Sequence, residues 1–266
     1  MQEAIDLRDE SDALYQLLEP VDDSIFATET LFKGWTVNDI LTHLHLWNWA
    51  ADAALNDDVA FQAFVEPAAK AAKRHGLRDF ENQHSAHLSG RDLLSAWREA
   101  YISIAERFAL TDPKRRVKWA GPDMSVRSSV TARLMETWSH GQAIYDLLGV
   151  RREETDRIKS IAVLGILTFG WSFKNRNLEI PDAPPYVRLT APSGDIWEWN
   201  DAGSEDRIEG LAVEFCQVVT QSRNISDVNL HVTGSTAQHW MEIAQCFAGP
   251  CEDPPKPGTR FSANPG

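Results

Sequence analysis

Two apolar helical segments of this chain carry ionisable side chains on the faces that should be buried. Glu136 and His140 are four residues apart in the segment 133–141, so a helix places both side chains on one face. His43 belongs to a second segment, in which apolar residues repeat at helical spacing: Ile40, Leu44, Trp47 and Ala51. A buried carboxylate or imidazole must be paired or bound to a metal, because desolvation otherwise penalises it. The fold therefore has to bring these faces together.

The first 150 residues show the pattern of helices joined by loops. Thr36 as N-cap, with Asp39 three positions later, predicts a helix that runs to about Asn56. Further helices are predicted near the N-terminus, over residues 91–108 and over residues 128–148, the last ending at Gly149. Residues 66–74 predict a weaker helix. Long helices with short connections indicate an antiparallel bundle, whose core commonly holds metal ligands.

Helical phase separates the two histidines of the second segment. At about 100° per residue, His45 points about 200° away from His43. Only one of them can face the interior, and the apolar residues favour His43.

The pattern changes after residue 150. A helix over residues 158–173 and a proline-rich break precede two strands, 186–191 and 195–200, joined by a turn. A helix over residues 211–221, a strand over 228–232 and a helix from Ser235 follow. We predict an α+β chain with a helical domain at 1–152, a connecting helix and linker at 153–185, a small α+β domain at 186–248, and an extended or disordered proline-rich tail at 249–266.

Composition excludes several classes of partner. A net charge of -13 disfavours a nucleic-acid surface, which needs clustered Lys and Arg. No apolar run approaches the roughly 20 residues that span a bilayer. The three cysteines lack zinc-finger spacing and indicate reduced thiols: Cys216, Cys246 and Cys251. We expect a cytoplasmic protein with a small-molecule substrate and no nucleic-acid or membrane partner, and the sequence leaves a homodimer open.

Two imidazoles and one carboxylate form a donor set that suits zinc, iron(II), nickel or manganese. Three protein ligands leave positions open for water or substrate, which is typical of catalytic sites. Each residue also has a simpler interpretation: His43 as a hydrogen-bonded core histidine, and Glu136 with His140 as a surface pair. His84 and His87 are candidates for a fourth ligand, although a polar loop exposed to solvent explains them as well.

Two segments resemble the N-terminal domain of the mycothiol-dependent maleylpyruvate isomerase family, which belongs to the DinB-like metal-binding bundles. They are residues 34–44 (GWTVNDILTHL) and 131–141 (TARLMETWSHG). The resemblance implies that His43, Glu136 and His140 hold a divalent ion, with zinc as the first expectation. Residues 187–199 (VRLTAPSGDIWEW) are similar to the family's small, sterol-carrier-like C-terminal domain.

The resemblance implies an α+β fold with a DinB-like four-helix bundle, and a low-molecular-weight thiol as cosubstrate. The expected function is a metal-dependent enzyme for a small organic acid or thioester-like carbonyl compound, acting by isomerisation or by thiol addition and transfer. Metal-activated water, in a hydrolase or hydratase, is one alternative. A non-catalytic metal- or ligand-binding protein is the other.

Six further residues are candidates for contacts with the substrate. Arg133 is the predicted catalytic residue, either as an ion pair that orients Glu136 or as a clamp on a substrate carboxylate. Trp47 and Trp138 are expected to pack in the core or to line the metal site. Three residues in the approach to the 128–148 helix complete the set, because such loops often determine specificity: Trp119, Met124 and Arg127.

Overall fold

A computed structural model of the protein describes residues 1–74, 76–121 and 123–261. The chain divides into two compact units. The first contains Met1–Ile144 and Ala248–Pro250, and the second contains Tyr145–Phe247 and the chain from Cys251 onward. Helices dominate the first unit and a four-stranded sheet with helices forms the second, which confirms the α+β class.

The first unit is built on six helices and one short pair of strands. The helices are α1 (Gln2–Leu18), α2 (Val37–Asn56), α3 (Asp58–Ala72), α4 (Leu77–His84), α5 (Gly90–Leu110) and α6 (Val126–Leu148), whose last four residues belong to the second unit. The strands β1 (Arg116–Val117) and β2 (Met124–Ser125) are antiparallel. The weak helix predicted over residues 66–74 is in fact the longer α3, and the polar stretch expected as a loop contains α4. None of the helices in the described residues is both long and apolar enough to cross a membrane.

The start of α2 is fixed by the capping box that the sequence predicts. Thr36 Oγ1 accepts a hydrogen bond from Asp39 N (3.1 Å), and Asp39 Oδ2 accepts one from Thr36 N (2.8 Å). Asp39 Oδ1 also accepts from Asn82 on α4 (2.7 Å). The cap therefore holds the beginning of the helix that carries His43 and ties it to α4.

The second unit combines four helices with a mixed sheet. The helices are α7 (Lys159–Leu167), α8 (Phe169–Lys174), α9 (Ala212–Val219) and α10 (Ser235–Ile243). The strands β3 (Tyr186–Thr190), β4 (Ile196–Trp199), β5 (Arg207–Leu211) and β6 (His231–Thr233) lie in the order β4-β3-β5-β6. β3 and β5 are parallel, and the other two pairs are antiparallel.

The structure corrects three expectations in this region. The helix predicted over 158–173 is two helices separated at Thr168, β5 was not predicted, and the last strand is at 231–233 rather than 228–232. Residues 251–261 of the proline-rich tail contain neither helix nor strand, and hydrogen bonds attach them to the second unit. Their backbone carbonyls accept hydrogen bonds from Gln221 (to Glu252, 2.9 Å) and Asn224 (to Pro255, 2.8 Å). Residues 262–266 of the predicted tail lie outside the described residues.

The capping box generates a prediction about stability. Thr36→Ala removes the hydrogen bond to Asp39 N and should lower the free energy of unfolding by about 1 kcal/mol. Denaturant unfolding, with retained helicity by circular dichroism, measures this. Thr111→Ala is the matched control, because the Thr111 hydroxyl only donates to a carbonyl of its own helix end (2.8 Å). Equal losses in both variants would contradict the role of the cap.

Candidate metal centre

Three predicted ligands converge between α2 and α6. The donor atoms of His43, Glu136 and His140 all lie within 4.8 Å of one another. Glu136 Oε2 is 3.4 Å from His43 Nε2 and 3.1 Å from His140 Nε2. Glu136 and His140 share a face because they are one turn apart on α6, and His43 joins them from the apolar side of α2.

These distances fit a single divalent ion. Ligand bonds of about 2.0–2.2 Å to a tetrahedral ion place the donor atoms roughly 3.3–3.6 Å apart. The two distances from Glu136 Oε2 are in or near that range. Imidazole nitrogen with carboxylate oxygen is also a donor set that zinc and neighbouring metals accept. His43, Glu136 and His140 could therefore hold such an ion without a large rearrangement.

Sequence reasoning missed Glu81, a carboxylate that lies directly behind His43. Its side chain is only 1% exposed, on α4, and Oε1 accepts hydrogen bonds from His43 Nδ1 (2.9 Å) and Trp47 Nε1 (2.7 Å). In the neutral, metal-binding form of His43 this contact keeps the proton on Nδ1, so that Nε2, on the side of Glu136, is the nitrogen that can bind an ion. Metal-binding histidines typically have such a partner. Nothing in the polar sequence around Glu81 singles it out.

The electrostatics of the centre favour positive charge at the ligands. Burial disfavours an imidazolium at His43, but the carboxylates of Glu81 and Glu136 outweigh it and raise its pKa to about 9. Burial also opposes ionisation of Glu136, yet hydrogen bonds with His140 and His43 hold the pKa of this carboxyl well below its usual value. The pKa of His140 is lowered, mainly by burial. Glu136 is thus ionised between the two imidazoles, and Glu81 adds negative charge behind His43, so the centre favours a bound cation.

Aromatic rings enclose the ligands. Trp35 stacks on the His140 ring (centroids 5.6 Å apart, planes at 6°), and Phe32 meets the same ring edge-on (4.7 Å). Trp47 packs beside His43 (6.2 Å) and continues to Trp119 (5.7 Å). The Glu136 side chain keeps 21% of its surface exposed, against 10–11% for the two histidines. The centre is therefore apolar-walled and reaches solvent on the side of Glu136.

The predicted substrate contacts lie at different distances from this centre. Trp47 lines it, and Trp119 is joined to it through Trp47. Met124 belongs to β2. Arg127 forms an ion pair with Glu3 (3.2 Å), and its position on α6 is nine residues before Glu136, which corresponds to about 13 Å along the helix axis. Trp138 is fully buried and lies two positions from each α6 ligand, about 200° around the helix. We therefore assign Trp138 to packing rather than to substrate contact.

The other predicted histidines are outside the ligand cluster of the described residues. His84 packs on Phe80 (4.4 Å) in α4. Burial lowers the pKa of His45, and the charge of His87 lowers it further, so these two side chains lie near each other. The cysteines belong to the second unit, where burial raises the pKa of the Cys216 thiol well above its usual value. That thiol is thereby held in its unreactive protonated form.

Arg133 is a fully buried guanidinium next to the centre. Its surface is 2% exposed, and two of its nitrogens, Nε and Nη2, have no hydrogen-bond partner among the described residues. Burial lowers its pKa, while the charges of Glu136 and Glu81 act in the opposite direction. The charges of both carboxylates therefore act on Arg133, although its Nε and Nη2 groups form no hydrogen bond with either of them.

The chain is similar to proteins with known sequences and structures. Residues 7–145 match the family described as the mycothiol maleylpyruvate isomerase N-terminal domain. Two uncharacterized proteins of Mycobacterium tuberculosis, from strains CDC 1551 and H37Rv, are 39% identical to it over 245 residues, which cover 92% of this chain and 95% of each relative. The crystal structure of the mycothiol-dependent maleylpyruvate isomerase superposes with a TM-score of 0.53 at 15% identity, over 82% of this chain and 87% of that one.

A histidine-to-alanine mutant of that enzyme gives a TM-score of 0.52 with the same identity and coverage. At this level of identity the superposition shows a shared fold. The prediction of an enzyme agrees with the family's name, which is that of an isomerase. The family match covers the three ligands of the centre and more than half of the sequence, and the chain belongs to the mycothiol maleylpyruvate isomerase N-terminal domain family.

Proposed function

We propose that this protein is a metal-dependent enzyme that acts on a small organic acid or a thioester-like carbonyl compound, by isomerisation or by thiol addition and transfer. The observation that carries the proposal is the convergence of His43, Glu136 and His140 within 4.8 Å, on a side that reaches solvent. A purely structural metal site usually has four protein ligands and is closed. A set of three supports binding of a substrate at the same ion.

The chain's own residues prepare the centre for this chemistry. Glu81 holds the orientation of the His43 ring, and Trp35 fixes the plane of His140. The aromatic rings around the two histidines limit the access of water to the side of Glu136 and thereby strengthen electrostatic interactions in the centre. When bound, a divalent ion at these ligands supplies Lewis-acid chemistry, which polarises a carbonyl and lowers the pKa of a thiol or water.

The thiol-dependent version follows from the relatives. The family name and the solved structures refer to a mycothiol-dependent isomerase, and we propose a low-molecular-weight thiol of that type as cosubstrate. An external thiol agrees with the state of Cys216, whose burial raises the pKa of its thiol and keeps it protonated. We propose zinc as the metal, with iron(II), nickel and manganese as alternatives.

Metal analysis tests the ligand set. Purified wild-type protein should retain close to one equivalent of divalent metal, and His43→Ala and His140→Ala should each lower the metal affinity at least 100-fold, because two ligands cannot replace three. Mass spectrometry of the purified protein and competition with a chelator measure this. His45→Ala is the matched control on the same helix. Unchanged metal affinity in both ligand variants would refute the site.

An assay with and without thiol tests the reaction. We expect turnover of small oxo acids or acyl thioesters by the metal-loaded protein to require an added thiol such as mycothiol, and His140→Ala to reduce it at least 100-fold. Product analysis by NMR separates isomerisation from transfer. Equal turnover without thiol would replace this version with the hydrolase or hydratase. Metal binding without turnover of any of these compounds would favour the non-catalytic binding protein.

The role of Glu81 can be measured independently of turnover. Glu81→Gln exchanges a carboxylate acceptor of the His43 and Trp47 hydrogen bonds for an amide, and should weaken metal binding roughly 10- to 100-fold. Chelator competition measures the affinity. Glu66→Gln on the exposed side of α3 removes the same charge and should leave the affinity unchanged. If both variants bind metal like the wild type, Glu81 does not position His43.

A further inference from the structure

One side of α6 carries a continuous row of polar side chains. Ser129, Arg133, Glu136 and His140 follow one another at spacings of four, three and four residues, so they lie along one face of the helix. Glu136 and His140 belong to the metal centre. Arg133 lies one turn before Glu136, about 4.5 Å along the helix axis. The row therefore continues from the ligands toward the beginning of α6.

The two residues of this row outside the centre are buried without sufficient partners. Ser129 is completely buried, and its hydroxyl oxygen has no hydrogen-bond partner within the described ranges. The same holds for Nε and Nη2 of Arg133. A buried charged group with unpaired donors is strongly unfavourable for folding, since its desolvation is not offset. An acceptor that is not part of the chain would offset it.

α2 and α6 are antiparallel, which places another such residue at the same level along the helix axes as Arg133. Arg115 Nη2 donates to Leu55 O near the end of α2 (2.7 Å), and Arg115 O accepts from Val126 N at the beginning of α6 (2.9 Å). The end of α2 therefore lies near the start of α6.

The register of the two helices follows from the metal centre, where His43 meets Glu136 and His140. Asn48 is five residues after His43 on α2. Because α6 runs in the opposite direction, the same level on α6 is five residues before position 138, which is the midpoint of Glu136 and His140, and this residue is Arg133. Asn48 thus lies at the level of Arg133. It is completely buried, and neither Nδ2 nor Oδ1 has a hydrogen-bond partner in the part of the chain that the structure describes.

We propose that Arg133, Asn48 and Ser129 form a carboxylate-binding subsite inside the helical unit, one turn beyond the metal ligands. Nε and Nη2 of a guanidinium are parallel donors that match the two oxygens of one carboxylate. Nδ2 of Asn48 and the hydroxyl of Ser129 are further donors of the kind that bind carboxylates. The use of this subsite in catalysis rests on the proposed function, whereas the binding of a carboxylate does not.

The spacing of the subsite from the centre indicates which acids fit. Two methylene groups between a carboxylate and a carbonyl span about 4 Å, given C–C bonds of about 1.5 Å. Arg133 and Glu136 are neighbours on one face of α6, about 4.5 Å apart along its axis, so a short oxo acid is the class of ligand that would reach both the subsite and the metal ligands. Acids with a 4-oxo group would place the carbonyl at the ligands while Arg133 holds the carboxylate. 4-Oxopentanoate is a simple probe, and pentan-2-one is its analogue without the carboxylate.

Calorimetric or NMR titration of wild type and variants with these two probes tests the subsite, in metal-free and zinc-loaded protein. We expect 4-oxopentanoate to bind wild type better than pentan-2-one does in both forms. Arg133→Met should weaken its binding roughly 10- to 100-fold, with a smaller loss in Asn48→Leu. Arg98→Met, on the exposed side of α5, is the control for lost charge and should bind like the wild type.

Thermal unfolding separates a binding role from a structural one. Replacing an unpaired buried charge by an apolar side chain of similar volume should leave the melting temperature of Arg133→Met unchanged or raise it.

The proposal is overturned if this variant binds 4-oxopentanoate like the wild type, which would mean that only water occupies the subsite, or if wild type does not prefer the acid. A loss of stability in Arg133→Met together with wild-type binding in Asn48→Leu overturns it as well. Metal-independent binding that needs Arg133, in a protein that holds no metal, would refute the proposed function and leave the subsite.

Discussion

The hydrogen bond between Glu81 and His43 is the interaction on which the centre depends. It joins two side chains that are each almost inaccessible to water, and each offsets the desolvation of the other. It also determines which nitrogen of His43 faces Glu136. The short helix α4 is held against the beginning of α2 because Asn82 donates a hydrogen bond to Asp39 and Arg78 donates one to the carbonyl of Gly34 (3.3 Å). The N-cap of α2 and Glu81, the hydrogen-bond partner of His43, are therefore held together by the same contacts between α2 and α4.

On α6, in contrast, a buried residue next to the ligands lowers the stability of the fold. Glu136 has two histidine partners, but Arg133 is buried with unpaired donors. A helix selected only for stability would carry an apolar residue at this position, since a well-packed side chain avoids the desolvation of a guanidinium. Unsatisfied buried polar groups are rare in native proteins and call for an explanation. Arg133 and Ser129 share the α6 face of the two ligands and Asn48 lies at the level of Arg133, and a bound ligand that the chain does not itself supply would offset the burial of all three.

The sequence predicts those parts of the fold that local rules decide. The capping box and the 3.6-residue period specify α2, and helical phase selects His43 over His45. β5 is different, because its pairing with β3 is parallel and joins residues about twenty positions apart, and no local pattern around Gly210 reveals it. Glu81 was missed for a similar reason: its partners lie on another helix, and its own segment is polar. Around Trp138, apolar and polar residues are buried alike, so periodicity does not tell which face meets the centre.

The same limits apply to the chemistry. Glu136 and His140 can be recognised from spacing because one helix turn aligns them, and helical phase adds His43 from α2, but this donor set serves isomerases, transferases and hydrolases alike. What distinguishes these reactions is the surroundings of the ion. The aromatic walls of Trp35 and Trp47 favour an organic ligand over bulk water, and a guanidinium one turn away favours an anionic one. The unpaired nitrogens of Arg133 therefore indicate more about the substrate than the metal ligands do, since a bound anion would offset the desolvation of this buried side chain.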